Sequence, residues 1–202
     1  GIELAKGEYI VRMDADDVAY PSRIRKQIAF METHKDIDIS GTWFIKIGKS
    51  TFNSNPITIE DCRLELLDNV VLAHPTVIFR RASFLSKGLK YDYSALHAED
   101  YKLWTDAVMS GLRISNLPEV LMKYRIHSNQ ITSLKSDILL ETVAKIRIDY
   151  ANFFFGSIIE SNQILYSRLM SNEISDYETY KKSKKLVLEL LKINDKKNFF
   201  IS

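Results

Sequence analysis

A single cysteine, Cys62, stands among the 202 residues. No internal disulfide can staple the chain, and a lone thiol of this kind serves as a small buried hydrophobe in a reducing compartment. No stretch approaches the ~20 consecutive apolar residues that a membrane span requires, and no secretory leader opens the sequence. Net charge is only +2, which removes bulk charge as an argument for a nucleic-acid partner. A glycine-rich phosphate loop with a nearby lysine is also missing, which argues against a nucleotidyltransferase. What is there is 46% hydrophobic and 27% charged, enough for one sizeable core and a reading of one domain with an appendage.

The most informative stretch is Arg12-Met13-Asp14-Ala15-Asp16-Asp17. A strand-like run, Tyr9 to Met13, delivers three carboxylates into a turn, where like charges repel unless a proton or a metal neutralises them. One residue between Asp14 and Asp16 puts both side chains on one face of an extended chain, suited to holding a metal beside a polar ligand. The other reading is structural, with aspartates satisfying turn amides. Context favours the site: Pro21-Ser22-Arg23 follows, with Ser22 as a helix cap ahead of the amphipathic run Ile24, Ile28, Phe30 and Met31. Carboxylates at the end of a strand that feeds a helix mark the ligand edge of an α/β fold.

Further along, Asp36 to Phe44 reads as a buried strand that Trp43 to Ile47 continues or pairs with, and residues 48–57 as a surface loop or hairpin. Helical spacing runs from Ile59 to Val71, and Val77-Ile78-Phe79 is a short strand after His74-Pro75. Glu99 and Asp100 occupy the first turn of a helix whose Leu103, Ala107 and Val108 face inward, ending near Gly111; acids there also complement the helix dipole without any catalytic role. Val120 to Tyr124 is a strand that leads to Arg125 and His127, a phosphate ligand or solvated cation and a histidine whose default role is a structural hydrogen bond. His74 lines the acceptor side or caps a strand, and Trp104 offers a sugar-stacking face or belongs to the core. From Ser133 onward three helices are expected, the last with lysines on one side and Leu186, Leu188, Leu190 and Leu191 on the other. They pack under the first domain, or against a second subunit as a homodimer, or lie on an anionic membrane.

Several motifs in order carry a resemblance. Gly1 to Ile10 followed by Asp14 to Asp17, then Pro21, Arg23 and Gln27, Ile37 to Thr42, His74-Pro75-Thr76-Val77-Ile78-Phe79-Arg80, Ala98 to Trp104 and Tyr124-Arg125-Ile126-His127 resemble the inverting nucleotide-sugar glycosyltransferases of family 2. The resemblance covers residues 1 to about 130. It implies an α/β fold, the C-terminal part of a Rossmann-like GT-A nucleotide-diphospho-sugar transferase domain, with residues 1–132 as a partial catalytic domain and 133–202 as a helical C-terminal extension. By the same resemblance the chain starts after the family's first nucleotide-binding strands and reads as a fragment, inactive in isolation.

For the intact parent the resemblance implies transfer of a sugar from a nucleotide-diphosphate sugar to a saccharide or lipid-linked hydroxyl acceptor, in bacterial cell-surface polysaccharide assembly. The roles carried over are Asp100 as general base with Glu99 second, Asp14 and Arg125 on the donor, and Asp16 and His127 on a divalent Mn²⁺ or Mg²⁺. His74 and Trp104 face the acceptor, and Asp17 caps the next turn. The expected location is cytoplasmic, with the C-terminal helices as the contact to the inner face of the plasma membrane if they are not packed. A noncatalytic carbohydrate-binding or scaffold module of the same fold is the competing reading, against which the retained acids argue.

Overall fold

The computed structural model describes residues 2–126 and 137–200. A mixed sheet forms its centre, built from β1 (Tyr9–Val11), β2 (Val18–Ala19), β3 (Ile39–Lys46), β4 (Phe52–Asn53), β5 (Ile78–Arg80) and β6 (Ile114–Tyr124), in the order β1-β5-β3-β6-β2 with β4 added to β3. The helices of the sheet region are α1 (Arg23–Thr33), α2 (Ile59–Glu65), α3 (Arg81–Ser86) and α4 (Glu99–Met109). After them come α5 (Asp137–Phe155), α6 (Ser157–Glu160), α7 (Gln163–Met170) and α8 (Tyr177–Lys197). The chain is therefore α/β with C-terminal helices, and among the described residues no helix is long and apolar enough to cross a membrane.

Strands β3 and β6 run parallel from Ile39 opposite Ile114 to Lys46 opposite Tyr124. Residues Ile39 to Thr42 are all buried, as expected of a central strand covered on both faces. On its other edge β3 changes partner: Ile39 and Ser40 pair with β5, Phe44 and Ile45 with β4. Side-chain alternation then divides the core. Ile78 packs with Met31 of α1 and Ile37 on one face, while Phe79 joins Ile39, Trp104, Ile146, Tyr150 and Phe154 on the other. One hydrophobic cluster thus runs from the sheet into α5, across the boundary that the sequence suggested near residue 132.

Several local expectations shift. Strand β1 stops at Val11, although Arg12 N still donates to Val77 O at 3.0 Å. Ser22 precedes α1 without a capping bond from its side chain. Helix α2 stops at Glu65, capped by Thr58, so Val71 reaches the core from a loop. Strand β6 begins six residues before Val120, with Pro118 inside it. The register accounts for this: Leu117 faces Thr42 and Val120 faces Trp43, so Pro118 and Glu119 sit in an irregularity where no ladder donor is needed.

Candidate active site

The acidic turn joins the two outermost strands of the sheet, β1 and β2. Its first acid is engaged: the Arg12 guanidinium donates to Asp14 at 2.6 Å through one nitrogen and stands 2.5 Å from the other carboxylate oxygen through the second. Its last acid is buried, with 6% of Asp17 exposed. Asp17 Oδ1 accepts from Arg125 N at 2.8 Å, and among the described residues Oδ2 has no hydrogen-bond partner. Burial, set against that bond and reinforced by Asp16 and Asp14, pushes its carboxyl above the ordinary range. Asp17 therefore does not cap the next turn; it ties the acidic loop to the end of β6. Arg125 makes the reciprocal tie, its Nε donating to Asp16 O at 2.9 Å.

Helix α1 fixes this loop from below through a residue pair whose purpose the sequence did not disclose. Arg23, 1% exposed, donates from Nη2 to Arg12 O at 2.8 Å and from Nε to Gln27 Oε1 at 2.9 Å. Gln27 Nε2 then donates to Thr76 O at 2.8 Å. Burial lowers Arg23 to about 10, still charged at neutral pH. Two buried side chains on successive turns of α1 thus connect the acidic loop to the segment His74-Pro75-Thr76.

That segment is a tight turn over β3. Thr42 N donates to Thr76 Oγ1 at 3.1 Å, and Thr76 Oγ1 donates to Ala73 O at 2.7 Å. The approach requires glycine at position 41, because a Cβ there would lie 2.3 Å from Asn116 Oδ1 and 3.2 Å from Thr76 Oγ1. His74 Nε2 lies 2.8 Å from Tyr91 Oη. Burial holds the histidine down to about 4 and the phenol up to about 12, so both are neutral across the physiological range. Behind them is Trp104, its ring 6.1 Å from His74 and edge-on to it. Trp104 is 0% exposed, so no sugar can stack on it, and its place is the core wall behind His74.

At the start of α4, Asp100 Oδ1 accepts from Tyr101 N at 2.8 Å and Glu99 Oε1 accepts from His97 N at 3.1 Å. His97 takes a left-handed φ of 68°, an uncommon conformation for a residue with a Cβ. Burial, partly offset by backbone hydrogen bonds, raises the Asp100 carboxyl above its ordinary value.

A cavity of about 800 Å³ collects these parts: Asp14, Asp16, His74 and Asp100 line it, together with Lys46 and Tyr124. Glu99, Arg125 and Trp104 are not in its wall, and His127 lies outside the described residues. Lys46 and Tyr91 went unnoticed in the sequence; a lysine at the last position of a central parallel strand is the signal that would have found the first. Leu139 and Val143 of α5 also face the cavity. Among the described residues no three His, Cys, Asp or Glu side chains converge on one point. Two carboxylates, Asp14 and Asp16, do face the cavity, and oxygen donors of this kind fit a hard cation in part.

Residues 1–90 match the family model described as glycosyl transferase family 2. The chain is also 29% identical over 194 residues to the amylovoran biosynthesis glycosyltransferase AmsE of Erwinia amylovora, covering 92% of this chain and 71% of that protein. The chain is thus similar to glycosyl transferase family 2 over residues 1–90. A second similar protein, the UDP-Glc:alpha-D-GlcNAc-diphosphoundecaprenol beta-1,3-glucosyltransferase WfaP of Escherichia coli, is 29% identical over 137 residues, 66% of this chain and 52% of its own. The fold is also similar to that of a solved structure. The crystal structure of S. aureus TarS 1-349 in complex with UDP-GlcNAc matches with a TM-score of 0.58 at 17% identity, over 85% of this chain and 50% of that one. The chain thus spans about half the length of WfaP and of that TarS structure.

Proposed function

We propose that the protein is an inverting glycosyltransferase that moves a sugar from a nucleotide-diphosphate sugar to a hydroxyl on a saccharide or lipid-linked acceptor. The observation that carries this reading is the convergence on one cavity of Asp16, from the loop between the outermost strands, and Asp100, from the start of α4. The two carboxylates differ in surroundings, as the two halves of a displacement require. The UDP-GlcNAc bound by TarS and the donor in the printed name of WfaP support the donor class. The acceptor in that name, and AmsE's naming for amylovoran biosynthesis, support cell-surface polysaccharide assembly as the setting.

In this mechanism Asp100 takes the proton of the acceptor hydroxyl as that oxygen attacks the anomeric carbon from the face opposite the diphosphate, so the configuration inverts. Burial makes its carboxylate a stronger base than an exposed aspartate. Glu99, bonded to His97 N and away from the cavity wall, holds the turn that presents Asp100. Neutral His74, anchored on Tyr91, offers an uncharged hydrogen bond to the acceptor. Asp16 would hold a divalent Mn²⁺ or Mg²⁺ with help from Asp14, and when bound the ion supplies countercharge for the departing nucleoside diphosphate. Lys46 adds a fixed positive charge in the same wall. The test is transfer by the full-length protein across a panel of nucleotide sugars with and without Mn²⁺, comparing the unmodified protein with Asp16→Ala and Asp100→Asn. Loss of turnover in both, with donor binding kept in Asp100→Asn, is expected; absence of metal-dependent donor binding in the unmodified protein overturns the reading.

A further inference from the structure

Helix α8 carries two apolar faces. The first buries Ser183 and Leu186, with Leu190 packed against the cluster of Ala151, Ile159 and Tyr166. At 100° per residue, Tyr177, Tyr180, Val187, Leu188 and Leu191 fall in a second stripe turned away from that contact. These residues are 73%, 52%, 36%, 48% and 52% exposed. A surface helix needs one apolar stripe to hold it down, and a second one rimmed by charge marks an interaction surface.

The charge is specific. Lys181, Lys185 and Lys192 run along one flank of the stripe and are exposed. Over the whole helix seven lysines stand against the three acids Glu178, Glu189 and Asp195, a surplus of four, whereas the entire chain nets +2. The remainder of the protein is therefore negative on balance, and the positive charge is concentrated here.

We propose that this face of α8 docks on an anionic lipid bilayer. The helix lies along the surface with Tyr177, Tyr180, Leu188 and Leu191 in the boundary between headgroups and acyl chains, and the lysines reach outward to the lipid phosphates. Lys184, inside the stripe, extends its ammonium to the same level along a flexible stem. With 21 residues the helix provides about 31 Å of contact. A second copy of the chain fits less well, because a self-complementary two-fold contact sets the same lysine row against itself. Anionic lipid engages the stripe and the lysines together. Glu189, 3.9 Å from Lys185, offsets part of that lysine's charge, and at the same helical spacing Asp195 enters the stripe near its C-terminal end.

The experiment is co-sedimentation of the 202-residue chain with vesicles of phosphatidylcholine alone or with about 30% phosphatidylglycerol, at low salt and at ~0.5 M. Two variants are compared, Leu188→Ser with Leu191→Ser, and Lys181→Glu with Lys185→Glu and Lys192→Glu. Helicity by circular dichroism checks that each is folded, and sedimentation velocity gives the oligomeric state. Binding to the anionic vesicles only, weakened by salt and reduced about tenfold or more by either variant, is the expected result. No binding to anionic vesicles, equal binding to neutral ones, or folded variants that bind undiminished overturns the proposal. A dimer abolished by the leucine variant, without vesicle binding, overturns it in favour of a second copy. None of these readouts involves donor or transfer, so the outcome is independent of the proposed activity.

Discussion

Arg12 and Asp14, two residues apart, close a two-point ion pair at the rim of the cavity, with contacts of 2.6 and 2.5 Å. The same guanidinium is near enough to Asp100, His74 and Tyr91 to bias the titration of all three, and it lowers the Asp100 carboxyl. Replacing Arg12 with Gln should therefore raise Asp100 further and move the acid limb of the transfer-rate profile to higher pH. Arg12→Lys should keep most of that electrostatic effect while losing the two-point hold on Asp14, so donor KM rises with the limb unmoved. A pH series of kcat and KM for the two variants separates charge from geometry.

Asp100 must be deprotonated to act, so activity should rise as pH passes through its raised pKa. Asp100→Asn is expected to reduce kcat by roughly 10² to 10⁴ and to abolish that limb. Glu99→Gln should cost far less, since Glu99 is absent from the cavity wall. If Glu99→Gln shows the larger loss in steady-state assays, the two roles are exchanged.

His74 links stability to pH. Its folded pKa of about 4 lies below the ordinary value of 6.5. The neutral form is favoured in the fold, so its contribution is fully present above pH 6.5 and lost as pH falls from 6.5 towards 4. Each pKa unit is worth about 1.4 kcal/mol, and with the side chain not wholly buried the expected loss is about 2 kcal/mol. His74→Gln should flatten this part of the stability profile, measured by urea midpoints between pH 7 and pH 4.

Gly41→Ala tests the tight turn over β3. The added methyl meets Asn116 Oδ1 at 2.3 Å, and Asn116 cannot easily withdraw because its Nδ2 donates to Pro56 O at 2.7 Å and Val71 O at 2.9 Å. Overpacking of this kind costs about 1–3 kcal/mol. A denaturant midpoint unchanged from the unmodified protein would show that the turn has room to move.

Much of this was legible because the informative signals were local. The acidic turn, the helix after it and the placement of Glu99 and Asp100 at the start of α4 follow from periodicity and from charge at element ends. The argument that put Asp14 and Asp16 on one face applies equally to Arg12, one position of the same period earlier, and would have exposed the ion pair. Long-range partners were not legible: Tyr91 meets His74 across 17 residues and Gln27 meets Thr76 across 49. Trp104 was ambiguous because aromatic side chains suit both a core and a sugar platform, and only burial decides. Early β6 was hidden by Pro118, whose missing N–H is harmless only because the ladder slips at that point.

Leu139 and Val143 bring α5 into the wall of the cavity that also holds Asp16 and Asp100, while Ile146, Tyr150 and Phe154 on the same helix are rooted in the main core. Leu139 and Val143 pack against that same core, so the turns that face the cavity are held by the cluster that anchors the rest of the helix. A change of size at either position therefore alters the cavity wall and the core together, so the shape of the cavity is coupled to the stability of the fold.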